Sequence, residues 1–176
     1  MQYKDLLRGT VLLVAVEATA LGAISGIALN NEADDLLAAL ALGWWMIAIV
    51  VGLQLGRPER AARALRDPLA SARTSTTLPS EAPASIAVAR LWPIALFAAV
   101  AGGLGAVFPQ VPAIATGAAL LFALAWRRRE GAVTAIEERD GVCFYVEKGT
   151  AFEPIKLIRT PGLTRGDAPT VHPPPP

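Results

Sequence analysis

A single carboxylate inside a long apolar run is the residue of this sequence best placed to do chemistry. Glu17 interrupts the run Val11–Leu29, and it is the only Asp, Glu, Lys or Arg within any of the four long apolar runs. An ionisable group at membrane depth is costly, so it marks a proton or cation relay, or a contact with a basic or polar group. A relay needs several such groups along one path, and the runs hold no second one. A contact is therefore the favoured interpretation, and a carboxyl without a function is the plain alternative.

The other reactive side chains do not combine into a catalytic or metal-binding set. The only histidine, His172, lies in a proline-rich tail, so the sequence has neither a Ser-His-Asp triad nor a Cys/His zinc pattern. It also has no glycine-rich phosphate-binding motif. The single cysteine, Cys143, is predicted to be a half-buried strand residue rather than a nucleophile. The sequence therefore predicts a protein that is not an enzyme and that holds no metal or cofactor.

Four apolar runs dominate the chain, which is 176 residues long and 53% hydrophobic. Each run is long enough, or nearly so, to cross a bilayer as a helix. The connector after the first run carries three acids, whereas basic residues precede the first run, fill the middle loop and follow the fourth run. Positive charge stays on the cytoplasmic side of a membrane, which predicts that both termini are cytoplasmic. We thus predict an all-α membrane protein with four transmembrane helices at 11–29, 36–55, 91–108 and 111–126.

Arginine-rich segments on the predicted cytoplasmic side are candidates to contact anionic lipid headgroups. The stretch Pro58–Asp67 has the character either of an amphipathic surface helix or of an ordinary charged turn, and the turn is favoured. Residues 68–85 are predicted to be a flexible loop, since Pro, Ser, Thr and Ala dominate them. The basic segments have too few aromatic residues and too little charge to predict nucleic-acid binding. The candidate headgroup contacts are Arg57, Arg60, Arg63, Arg66, Arg127, Arg128 and Arg129.

The faces of the first helix are predicted to separate internal packing from contact with a partner. At about 100° per residue, small residues share one face, where Gly22-x-x-x-Gly26 lets another backbone approach closely. Glu17 lies on the opposite, bulky face, so we expect it to point away from this chain's own packing and to touch a neighbouring subunit. Trp44 and Trp45, near the middle of the second run, are further candidates for partner contact. The predicted packing residues are Ala15, Thr19, Gly22 and Gly26.

The chain becomes β-rich after the fourth run. Residues 132–138 and 142–147 are predicted strands, and Asp140-Gly141 between them is a strong hairpin signal because the turn needs φ > 0. Residues 151–158 are predicted to add a third extended segment. The chain is thereby divided into a four-helix transmembrane domain over 1–130, a cytoplasmic β-hairpin segment over 131–162 and a disordered proline-rich tail over 163–176.

Three stretches near the end of the chain resemble a known family. They read AIEERDG at 135–141, FYVE at 144–147 and PIKLIRTPG at 154–162. Together with the four-span layout over 1–130, they resemble the LucB family, small accessory membrane subunits of the mycobacterial Mce (mammalian cell entry) lipid importers. The resemblance implies a hetero-oligomer with the permease-like subunits of a lipid or fatty-acid importer, which a separate ATPase drives. It implies no catalytic residue in this chain.

Two functions are compatible with these patterns. The first is a non-catalytic accessory subunit in a bacterial plasma membrane, since abundant Ala, Arg, Gly and Pro with scarce Lys are typical of a GC-rich bacterial genome. The alternative is a stand-alone small transporter or a membrane enzyme that uses Glu17. A transporter needs a polar path, and the last three helices offer only Gln54 near an end and Thr116. The accessory subunit is therefore the favoured prediction.

Overall fold

The structure is a computed structural model, and it describes residues 1–32, 35–75 and 82–161. The disorder predicted for 163–176, including His172, lies outside the described residues, as does the centre of the loop predicted over 68–85. In chain order the elements are α1 (Tyr3–Glu32), α2 (Asp35–Leu55), α3 (Pro58–Ala70), β1 (Arg73–Thr74), α4 (Pro83–Leu104), α5 (Gln110–Trp126), α6 (Arg129–Asp140), β2 (Val142–Val146) and β3 (Leu157–Pro161).

Four helices within these ranges are long and apolar enough to cross a membrane. They are α1, α2, α4 and the helical stretch Gln110–Asp140, of which α5 is the apolar part. The prediction of four helices long and apolar enough to span a membrane is confirmed, and this layout is typical of a multi-pass membrane protein. The start of the third spanning helix was predicted too late, because α4 begins at Pro83 and takes Pro93 into its interior. A proline in the first turn, such as Pro83, costs the helix no hydrogen bond.

Helix α5 is the centre of the bundle. It packs along both α1 and α2, whereas α4 packs mainly on α1 and less on α5. In a membrane, small side chains let helix backbones approach closely and gain van der Waals contact. The buried small residues of α5 are Ala113, Ala115, Thr116, Gly117 and Ala119.

The arginine-rich stretch after α2 forms the amphipathic helix α3, and the favoured prediction of a charged turn is wrong. Ala61 and Leu65 are buried, while Arg60, Arg63 and Arg66 on the same helix are exposed. Helix α3 packs on α6. Protein therefore covers an apolar face that an isolated surface helix would present to lipid.

A three-stranded sheet lies beside α6, with the strands in the order β1-β3-β2. Strands β2 and β3 are antiparallel, with Cys143 opposite Thr160, and the short β1 adds to β3 in parallel. Alternate residues of a strand share one face, and in β2 the buried ones are Val142, Phe144 and Val146. The sheet therefore presents one apolar face to the rest of the chain.

The N-terminus is tied to this sheet. The N–H of Val146 donates a hydrogen bond to the carbonyl oxygen of Met1 at 3.0 Å, and Gln2 forms an isolated antiparallel bridge with Tyr145. The start of α1 and the strand that follows α6 thus lie at the same end of the bundle. An even number of membrane crossings requires this arrangement.

Helix α6 overturns the hairpin predicted around Asp140-Gly141. Residues 132–138 lie in this helix, Asp140 is its last residue, and Gly141 caps it with φ 61° and ψ 35°, donating its N–H to the carbonyl of Glu137. A left-handed glycine ends a helix as readily as it turns a hairpin, so the dipeptide could not distinguish the two. The antiparallel pair that forms is β2 with β3, and the extended segment predicted over 151–158 enters a strand only at its end.

The largest core cluster lies at one end of the bundle rather than within it. It joins the start of α1 to α3, α4, α6 and two strands of the sheet. Helices α3 and α6, the sheet and the N-terminus therefore form one packed unit. Its buried members are Tyr3, Leu6, Leu7, Leu65, Ile86, Val133, Val142, Phe144, Val146 and Leu157.

A buried carboxylate reinforces this unit. Glu137 of α6 is 6% exposed, and its two oxygens have different partners. Its Oε1 accepts a hydrogen bond from the N–H of Phe144 at 3.0 Å, and its Oε2 lies 3.3 Å from the Nζ of Lys4. Removing one partner of such a group would leave a buried charge uncompensated, so Glu137 couples α1, α6 and β2.

Gly141 offers a test of the helix cap. Replacement by Val puts a β-branched residue at φ 61°, a conformation that costs a residue other than glycine on the order of 1–3 kcal/mol. We expect Gly141→Val to lower the free energy of unfolding by about that amount, measured by denaturant titration in detergent. Gly141→Asn is the matched control, because Asn tolerates the left-handed region. Equal losses for Val and Asn would contradict the cap.

Cys143 offers a test of the sheet. Burial raises the pKa of its thiol, the charge of nearby Glu137 raises it further, and Lys4 opposes the shift in part. Since the thiolate is the reactive form, we expect the pH midpoint of Cys143 alkylation to be higher in the folded protein than in the denatured protein. Coinciding midpoints would show that Cys143 is not held in this environment.

Candidate functional site

Glu17 lies against a cavity between α1, α4 and α5. The cavity has a volume of about 320 Å³, which is at the small end of the range for ligand sites. The Glu17 residue is 8% exposed, so it is enclosed by this chain. The lining residues are Val14, Glu17, Pro93, Ile94, Phe97, Ala118, Ala119 and Phe122.

One oxygen of Glu17 has an unmet demand for a hydrogen bond. Its Oε1 is buried and has no hydrogen-bond partner among the described residues. None of the other side chains that line the cavity carries an N–H or O–H group. A buried polar atom without a partner costs free energy. The cavity is therefore suited to a group that brings a hydrogen-bond donor to Glu17.

The cavity opens at the side of the bundle. Phe97, in its wall, is 56% exposed, and Ala118 is also exposed. Pro93 forms part of the same wall, and it has no N–H to donate to the carbonyl of Ala89 one turn earlier. The cavity is therefore open to the surface of the bundle between α4 and α5, whereas the Oε1 atom of Glu17 beside it is covered by this chain.

The packed face of α1 is not the small-residue face that the sequence predicted. Ala15, Thr19 and Gly26 are exposed, and Gly22 has only a side-chain atom of Thr116 nearby. A different set of residues, both large and small, faces the neighbouring helices instead. The buried residues in this part of α1 are Val14, Glu17, Ala18, Leu21 and Ser25. The expectation that Glu17 points away from its own chain is therefore wrong, because helices α4 and α5 cover that side.

The two tryptophans of α2 anchor it to α5. The Nε1–H of Trp44 donates to the carbonyl of Ile114 at 3.1 Å, and the Nε1–H of Trp45 donates to the carbonyl of Ala113 at 2.8 Å. A β-carbon at Gly117 would overlap the indole of Trp44. Both indole donors thus have acceptors within the chain, and their contact with a partner remains a prediction.

The close approach of α2 and α5 depends on glycines that the sequence reasoning did not single out. A β-carbon at Gly52 would lie 2.9 Å from the Cβ of Leu124 and 3.0 Å from the carbonyl oxygen of Leu121. At Gly56 it would overlap the carbonyl oxygen of Leu124. The spacing Gly52-x-x-x-Gly56 was the signal in the sequence, and it equals that of Gly22-x-x-x-Gly26.

The candidate headgroup arginines lie around the end of the bundle that holds the sheet. Six of them are exposed, whereas Arg129 is partly buried, with its guanidinium carbon 3.9 Å from the centre of the Trp126 ring. That distance is typical of a cation–π contact. The exposed arginines are Arg57, Arg60, Arg63, Arg66, Arg127 and Arg128. Contact with lipid headgroups remains a prediction for all seven.

Gly117 tests the α2–α5 contact. Gly117→Ala displaces the Trp44 indole from its position against α5. Overpacking of this kind costs about 1–3 kcal/mol. We expect a lower free energy of unfolding, measured in detergent, and a smaller loss when Trp44→Ala is already present, because the clash is then gone. Gly43→Ala is the matched control, since a β-carbon there would lie within 4 Å of no atom outside its own stretch of helix. A Gly117→Ala variant as stable as the Gly43→Ala variant would argue against this packing.

Comparison of the chain with models of protein families, with curated proteins and with solved structures found no match in any of the three. The most specific functional feature of the chain itself is the cavity at Glu17.

Proposed function

We propose that this chain is a non-catalytic accessory subunit of a larger membrane assembly, and that a helix of another subunit contacts it at Glu17. The observation that carries the proposal is the buried Oε1 atom of Glu17, which has no partner among the described residues. The cavity beside it opens at the side of the bundle, where a neighbouring helix would lie. A rotation of the Glu17 carboxyl would turn Oε1 toward the cavity, where a donor from that helix would supply the missing hydrogen bond.

The chemistry of the bilayer favours a protein donor at this depth. Hydrocarbon tails carry no N–H or O–H group, so they cannot satisfy a buried carboxyl oxygen. Side chains of other helices can, and hydrogen bonds between membrane helices stabilise association by about 0.6–2 kcal/mol. The apolar wall that contains Phe97 and Phe122 would pack against the apolar part of the same helix. We therefore expect the partner to present a polar or basic side chain in an apolar setting.

The assembly that we propose is a lipid importer of the Mce type in a bacterial plasma membrane. This choice depends on the sequence resemblance, with permease-like subunits as the partners and a separate ATPase as the motor. Both termini and the sheet would then be cytoplasmic. The positive-inside rule supports this orientation, because the exposed arginines of α3 lie at the sheet end of the bundle. There they would meet anionic lipid headgroups.

The alternative, a stand-alone small transporter or a membrane enzyme, would also use Glu17. The cavity gives it some support, since it places a carboxyl beside open space in the bundle. All other lining side chains are apolar, however, and a transport path needs several polar groups. The same cavity therefore favours contact with a subunit.

Glu17 variants test the accessory role. Glu17→Leu removes the acceptor, so we expect weaker recovery of the partner after gentle detergent purification, corresponding to about 1–2 kcal/mol. Glu17→Gln should lose less, because its amide still forms hydrogen bonds. Recovery would be measured by quantitative mass spectrometry of the proteins that purify with this chain.

Two controls make the result interpretable. Val16→Leu changes a neighbouring side chain that is 66% exposed and does not line the cavity, so partner recovery should not change. Insertion and thermal unfolding of the Glu17→Leu chain should match those of the parent. Unchanged partner recovery with a correctly folded Glu17→Leu chain would contradict the proposal, and so would a structure of the assembly with Glu17 facing open lipid.

A further inference from the structure

The loop between β2 and β3, residues 147–156, lies against a spanning helix. The guanidinium of Arg90 in α4 donates a hydrogen bond through Nη1 to the carbonyl of Glu153 at 3.3 Å. Two residues further along α4, the ring of Trp92 meets the ring of Phe152 edge to face, with centroids 6.2 Å apart and planes at 81°. Two contacts of different kinds thus hold this loop beside α4.

Phe152 is exposed to an unusual degree. At 82% it is the most exposed large apolar side chain among the described residues, and Ile155 in the same loop is 39% exposed. The buried residues of β2, by contrast, are apolar and face the core. The sheet thus buries one apolar face, whereas Phe152 and Ile155 in its loop stay uncovered by protein. Exposed apolar groups of this kind mark an interaction site when they lie together.

The position of Trp92 indicates which environment would cover Phe152. Arg90 and Trp92 precede the apolar part of α4, and the order of a basic residue, then Trp, then apolar residues is typical of a helix that enters a bilayer. Trp92 is 46% exposed, as expected for a tryptophan at the headgroup level. Because the ring of Phe152 touches that of Trp92, it is held at the same depth. We therefore expect lipid to cover the exposed ring of Phe152.

We propose that residues 147–156 form an interfacial loop, which inserts Phe152 and Ile155 into the headgroup region of the bilayer beside α4. Exposed Lys148 and Lys156 flank the two apolar side chains, and exposed Glu147 and Glu153 balance their charge, so the apolar side chains carry the insertion. The loop thereby attaches the sheet to the membrane surface. This inference requires no partner subunit, so it is independent of the contact at Glu17.

Site-directed spin labelling of the full chain in vesicles tests the insertion. Phe152→Cys and Glu147→Cys would each be labelled in a Cys143→Ser background and reconstituted in phosphatidylcholine with phosphatidylglycerol. We expect the label at 152 to collide more with oxygen, which concentrates in lipid, than with a water-soluble nickel chelate. The label at 147, at the exposed start of the loop, should show the reverse preference.

A second variant separates the effect of Phe152 from that of the label. With the label at Ile155→Cys, adding Phe152→Ser should move the label toward the nickel chelate, because the loop loses its main apolar anchor. A label at 152 that prefers the nickel chelate would overturn the proposal. A label at 152 protected from both reagents would overturn it too, since protein rather than lipid would then cover the loop.

Discussion

The carboxylate of Glu137 fixes the geometry on which the rest of the molecule depends. It accepts a hydrogen bond from the backbone of β2 and lies within 3.3 Å of the ammonium of Lys4, so the start of the first helix, α6 and the sheet cannot separate freely. A buried charge of this kind is stabilising only while its partners stay in place. This attachment holds the sheet at the end of the bundle where its loop meets α4, with Phe152 against Trp92.

Inside the bundle, α5 packs closely with α1 and α2, whereas α4 packs less closely and a cavity lies beside it. Helix α5 presents small residues to α1 and α2, and the indoles of Trp44 and Trp45 secure the α2 side. Helix α4 packs on this group less closely and contains Pro93. The cavity at Glu17 lies between α1, α4 and α5, where the small side chains of Ala118 and Ala119 leave space beside the larger ring of Phe97. The position of the candidate site thus depends on where the small residues lie among the helices.

The sequence was most informative where the bilayer dictates the answer. Length and apolarity alone identify four spanning helices, since a membrane helix must satisfy its own backbone. The sequence was least informative where the structure of a segment depends on which other segment packs against it. The glycines at 22 and 26 and those at 52 and 56 have the same spacing, but only the second pair meets a backbone closely. Likewise, Gly141 has a positive φ whether it caps a helix or turns a hairpin, and the packing of Val133 and Glu137 selects the helix.

The bond between Met1 and Val146 joins segments that the ribosome makes far apart in time. At about 5–20 residues per second, the first residues wait on the order of 10 s before β2 has been synthesised. During that interval α1 enters the membrane with Lys4 and the Met1 carbonyl lacking their final partners. The unit at the sheet end therefore closes only when nearly all of the described chain has been translated, and a chain that stalls before β2 keeps its spanning helices but leaves its amino-terminal segment open.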